Sequence, residues 1–150
     1  MSRGAIKLKI SQGVARVTMA RPEKHNAFDD VLIGDLTRVF QSVSADEAVR
    51  VVVLAGEGKS FSAGADLAWM QRMADYSEAE NLGDARQLAA MMKVLNEMPK
   101  PTIAQVQGAA FGGGVGLVAA CDIAVASQVA NFCLSEVRLG LIPSVISPYV

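Results

Sequence analysis

The chain has 150 residues, 51% of them apolar, and 14 basic against 15 acidic side chains give a net charge of −1. That is enough apolar material for one globular domain with a real core, and it leaves no basic stripe for nucleic acid or an anionic membrane surface, so neither is expected as a partner. The two cysteines, Cys121 and Cys133, are too far apart for a CxxC motif and read as buried thiols; no signal-peptide core precedes them and no apolar run is long enough for a bilayer, so the expected setting is a reducing cytoplasm.

Alternation in "AIKLKI" and "VARVTMA", separated by Ser11-Gln12-Gly13, predicts a hairpin of two strands. The charged stretch "RPEKHNAFDD" is a loop whose Asp29 or Asp30 is placed to cap a helix over 31–42, with Val31, Leu32, Leu36, Val39, Phe40 and Val43 at helical spacing. "VRVVVLAGEG" is nearly all apolar, as a strand covered on both faces would be. After the loop "KSFSAGAD" the chain reads as helical to Met73, then again over 77–98, where Leu82, Leu88, Met91, Met92 and Leu95 form an apolar face before Pro99 and Pro101. "TIAQVQG" is a further buried strand, 117–121 a short helix, and "DIAVAS" and "ANFCLSEV" two more strands. Strands alternating with helices predict an α/β domain with right-handed crossovers.

The stretch "FGGGVGL", with glycine at 112, 113, 114 and 116, interrupts this pattern. Glycine weakens an element interior, so four within five positions mean that the backbone must approach something closely. A GxGxxG dinucleotide loop fails because Leu117 stands where the third glycine belongs, and a phosphate-binding P-loop fails for want of a lysine. A GxSxG nucleophile elbow fails at Ser62, and the only histidine, His25, lies in a charged loop. Two glycine-bearing loops, "FSAGADL" and "FGGGVGL", each follow a buried strand and open a helix, so each can point backbone N–H groups outward and hold an oxyanion. Loops that only let helices pack on sheets read the same way.

"RPEKHNAF", "VVLAGEGKSFSAGADL", "PKPTIAQVQGAAFGGGVGLVAACDIAVAS" and "FCLSEVRLGLIP" resemble, in order and spacing, the crotonase or enoyl-CoA hydratase/isomerase superfamily. The resemblance implies an α/β fold built as a ββα spiral, an acyl-CoA thioester as substrate, and no cofactor besides the coenzyme A carried by that substrate. It implies a thioester enolate held by the backbone amides of Ala65 and Gly113, flanked by Ala63, Asp66, Leu67 and Gly112. "KHNAF" falls where the family binds CoA, which assigns Arg21, Lys24, His25 and Ala27 to that end of the ligand. Of the two glutamates that the family's hydratases use, the second is matched by Glu136, while the first falls on Gly116. Ser144 follows Pro143 where many hydratases have glycine, and these departures are most similar to methylglutaconyl-CoA and isohexenylglutaconyl-CoA hydratases.

The resemblance therefore implies hydration of a 2-enoyl-CoA by Glu136. The alternatives are Δ3,Δ2-enoyl-CoA isomerisation by the same glutamate, or a non-catalytic CoA-ester-binding module. It also implies a homotrimer or a dimer of trimers, and a core domain over 1–150 without the C-terminal helical region that in the family closes the acyl pocket. Simpler roles stand beside these: an ion pair of Glu136 with Arg138 on an extended segment, a helix cap for Asp66, a backbone bond for Asp122, and core packing for Trp69, Met70 and Met73.

Overall fold

A computed structural model describes residues 4–150. Strands β1 (Ile6–Ser11) and β2 (Val14–Met19) form the expected antiparallel hairpin. Gln12 and Gly13, at φ 52° and 80°, supply the two positive dihedrals that a tight turn between right-twisted strands requires. Helix α1 (Asp30–Ala45) is capped by Asp29, whose carboxylate accepts the Leu32 N–H at 2.9 Å. Its buried stripe is Leu32, Ile33, Leu36, Phe40 and Val43, and Val31, expected on that face, is exposed.

Five strands form the main sheet in the order β1-β2-β3-β5-β7, with β3 (Val51–Gly56), β5 (Thr102–Val106) and β7 (Ile123–Ala126) parallel to β2. The register sets Ala15 beside Val52 and Thr102, and Val17 beside Leu54 and Ala104, so one face of the three central strands is buried, while β1 and β7 at the edges are largely exposed. On the other face Arg16 donates to the Gln105 side chain and Val53 is only partly covered. β3 is thus sealed on one side rather than two, because only one of its faces belongs to the core.

Three short parallel strands, β4 (Ser60–Ser62), β6 (Ala109–Phe111) and β8 (Asn131–Cys133), make a second sheet in the order β4-β6-β8. Each follows one long strand, and each is followed by helical structure: α2 (Leu67–Met73) and α3 (Glu78–Asn96) after β4, α4 (Gly113–Ala119) after β6, and a 3-10 turn, Ser135–Leu139, after β8. Three turns of a ββα spiral result. The strand expected over "ANFCLSEV" therefore ends at Cys133, and Glu136 sits on a helical turn instead of an extended segment. α3 carries a Ser77–Glu80 capping box at its start, and its buried residues, Met91, Met92 and Leu95, are all in its second half, leaving Leu82 exposed. Asp122 does bond backbone: it accepts the Thr102 N–H at 2.7 Å and its hydroxyl at 2.8 Å, and those bonds hold its carboxyl below the usual range.

Candidate active site

The carboxyl ends of β4, β6 and β8 lie side by side, so the residues just beyond them converge. Those residues are Ala65, Gly113 and Glu136, and all three line one cavity of about 410 Å³. The middle strand delivers Gly113, so its loop lies between the other two.

Each glycine of "FGGGVGL" makes room for a different neighbour. A Cβ on Gly113 would lie 2.6 Å from the Phe28 ring, one on Gly114 2.7 Å from the Ser62 carbonyl oxygen, and one on Gly116 2.3 Å from Ile146 Cγ2. Gly112 has φ +51°, and its Cβ would come within 3.0 Å of Glu136 Oε1. Across the cleft, Gly64 at φ +86° lets the first loop close on the Phe111 carbonyl oxygen, 2.9 Å from where a Cβ would be. The close approaches expected from the sequence are therefore mainly to the protein itself, and they draw the two loops together.

Two backbone donors are left over. Phe28 N–H donates to the Gly64 carbonyl and Asp66 N–H donates to the Phe28 carbonyl, both at 2.7 Å, forming a parallel bridge around Ala65. Successive N–H groups of an extended segment point in opposite directions, so the Ala65 N–H faces away from Phe28. Gly113 opens α4, where the first N–H groups lie outside the helical ladder. Among the described residues neither N–H has an acceptor. A pair of such donors facing one cavity can stabilise an oxygen that gains negative charge.

Glu136 Oε2 is buried and has no hydrogen-bond partner, the only side-chain polar atom of which this holds among the described residues. Arg138 does not pair with it, so the ion pair weighed from the sequence is not formed. A buried carboxylate oxygen without a donor leaves its lone pairs for a bound molecule to meet. Ala63, Leu67, Gly112 and Ser144 lie on the same wall, with Trp69 and Met70 from α2; Met73 instead packs against the core. The Trp69 indole N–H donates to Asp84 of α3 at 3.2 Å, which fixes the ring's orientation. Gly116, where the family's first glutamate falls, does not line this cavity, and Ile146 and Met92 fill the space beside it.

Arg21, Lys24, His25 and Ala27 do not line this cavity. Arg21 pairs with Asp29 at 2.7 Å, Lys24 with Asp66 at 3.1 Å, His25 Nδ1 lies 3.0 Å from Ser60 Oγ, and Ala27 is buried. Their segment runs beside the Ala65 loop, with Ala63 N–H donating to the His25 carbonyl at 3.0 Å and Ser62 Oγ donating to the Asn26 carbonyl at 2.9 Å. Burial opposes ionisation of Asp66, yet bonds from the Trp69 N–H and Lys24 outweigh it and hold the carboxyl below the usual range, as expected of a cap. Sequence reasoning passed over Asn26, which is fully buried and joins three backbone segments: it accepts the Arg21 N–H and donates to the Glu57 and Ser60 carbonyls. Its φ of 52° is one that asparagine tolerates better than most residues, the one signal that marked it.

The enoyl-CoA hydratase/isomerase family model matches residues 9–150. The chain belongs to that family. A Legionella pneumophila structure of the enoyl-CoA hydratase/isomerase (crotonase) type is 55% identical with a TM-score of 0.96, covering 99% of this chain and 57% of that one. An Alternaria alternata enoyl-CoA hydratase is 44% identical over 138 residues, 92% of this chain and 44% of that protein. A mitochondrial Δ(3,5)-Δ(2,4)-dienoyl-CoA isomerase from Dictyostelium discoideum is 33% identical over 137 residues, 86% of this chain and 47% of that protein. The chain thus spans about half the length of the curated relatives it matches. The α/β crotonase fold is shared throughout, the chain covering its N-terminal portion, and the family contains both hydratases and isomerases.

Proposed function

We propose that the protein hydrates the double bond of a 2-enoyl-CoA, with Glu136 as its single acid/base group and the Ala65 and Gly113 amides holding the thioester oxygen. The observation that carries this reading is the unpartnered Glu136 Oε2 in the same cavity as two backbone N–H groups without acceptors. Glu136 takes a proton from water as the water oxygen bonds to C3. The electrons move into the thioester, whose enolate oxygen the two amides stabilise, and Glu136 then returns the proton to C2. Water adds across the double bond, and the carboxylate ends as it began. A methylglutaconyl-type acyl group is the substrate we favour, on the resemblance of the motifs around Gly116, Glu136 and Ser144. The CoA nucleotide lies outside the cavity, towards the Arg21–Ala27 segment, and the working protein is a homotrimer or dimer of trimers in a reducing, cytoplasmic setting.

One observation favours a second reading. Among the described residues Glu136 is the only carboxylate on the cavity wall, and moving a proton from C2 to C4 of a 3-enoyl thioester needs only one. The test is turnover of 3-methylglutaconyl-CoA and crotonyl-CoA, followed by loss of the conjugated thioester absorbance. Hydration that falls by about 100- to 10,000-fold in Glu136→Gln supports the hydratase. Shifting of the double bond in 3-hexenoyl-CoA, without hydration of either 2-enoyl thioester, would replace it with the isomerase; tight ester binding with neither reaction would leave a binding module.

A further inference from the structure

The cavity wall carries two charged side chains, Glu136 and Arg138; apart from Ser135 and Ser144, the other residues that line it are apolar or glycine. Arg138 makes no ion pair and no side-chain hydrogen bond among the described residues, although the chain's carboxylates hold Arg21, Arg38 and Arg72 in that way. Residues two apart on a 3-10 turn lie about 120° apart around its axis, so Arg138 reaches the wall away from Glu136 and does not pair with it. Arg138 is exposed at the rim of the cavity, where its planar guanidinium can take a planar anion by two parallel N–H bonds.

We propose that Arg138 is a specificity residue that receives an anionic group of the substrate, the carboxylate at the far end of the acyl chain. This deepens the reading above, since it chooses among thioesters by a second carboxylate rather than by chain length. An arginine at that place also offsets the repulsion that such a carboxylate would feel from Glu136. The apolar remainder of the wall, which includes Leu139, Leu141 and Ile142, accommodates the methylene or methyl groups between the thioester and that end.

CoA phosphates offer the same anionic chemistry, so the test must separate the two sources. It measures binding of unreactive saturated thioesters by calorimetry and so does not depend on turnover: glutaryl-CoA against butyryl-CoA, and the same two acyl groups on pantetheine, which lacks the nucleotide phosphates. The protein is expected to prefer the glutaryl ester on both carriers. Arg138→Gln is expected to cut that preference by about 10- to 100-fold, and Arg138→Lys to restore part of it. A preference unmoved by Arg138→Gln would overturn the proposal. So would an equal loss for both acyl groups that vanishes with the pantetheine esters, because Arg138 would then serve the phosphates. If the glutaryl preference falls as expected while neither 2-enoyl ester is hydrated, the hydratase reading fails and the specificity residue stands.

Discussion

At Gly116 a Cβ would lie 2.3 Å from Ile146 Cγ2, 2.8 Å from Ile146 Cβ and 3.1 Å from the Met92 methyl. Both Ile146 and Met92 belong to the buried core, and Ile146 also borders the cavity. The space beside the position where the family's first glutamate falls is thus already occupied. We expect Gly116→Ala to lose about 1–3 kcal/mol of stability through overpacking, and Ile146→Ala about 2–5 kcal/mol through a cavity. The double variant should lose clearly less than the sum, because each change relieves the other; urea unfolding of the four proteins gives the coupling directly. Strict additivity would mean that the two positions do not meet. The sequence showed that glycine was needed here and could not show why, because Ile146, Phe28, Ser62 and Glu136 reach the four glycines from distant parts of the chain.

Among the elements, α2 depends on its first turn for position. It is only Leu67–Met73, too short to be stable alone, and it carries Trp69 and Met70 into the cavity wall directly after Ala65. Asp66 caps it through the Trp69 N–H at 3.0 Å and pairs with Lys24 at 3.1 Å. Its folded-state carboxyl titrates below its unfolded value, so it adds stability above the ordinary aspartate pKa of about 4, and that stability is lost as pH falls through the lower, folded value. Asp66→Asn should therefore melt lower than the parent at pH 7 and show a shallower loss as pH falls below about 4, read from melting temperatures across an acid series. Equal slopes would remove Asp66 from the acid response, leaving Asp29 and Asp122, which are also held low. Elements of this kind were legible: an aspartate before an apolar period marked α1 and α2, and a continuous apolar run marked β3. The strands β4 and β6 were not, since three residues are too few to show a period, and β8 was expected but stops at Cys133; the parallel order of these three strands is what brings the site residues together.

On the scale of the whole molecule, apolar surface is distributed unevenly. Of the sixteen large apolar side chains exposed among the described residues, ten lie between 123 and 150, including Ile123 and Val125 on β7 and Phe132 on β8. β7 and β8 are also the last strands of their sheets, so each offers an unpaired edge beside this surface. Open strand edges with apolar side chains recruit further strands, and soluble monomers seldom leave large apolar patches uncovered. The 15.8 kDa chain made as these 150 residues should therefore associate with itself, giving a sedimentation mass that rises with concentration. A charge at the centre of the edge opposes pairing, so Val125→Lys should lower that mass at equal concentration while the unfolding free energy stays within about 0.5 kcal/mol of the parent's, since Val125 does not belong to the core. A chain that sediments as a single copy at every concentration would show instead that β7 and β8 are tolerated bare, and of the ten only Leu139, Leu141 and Ile142 would be accounted for, by the cavity wall.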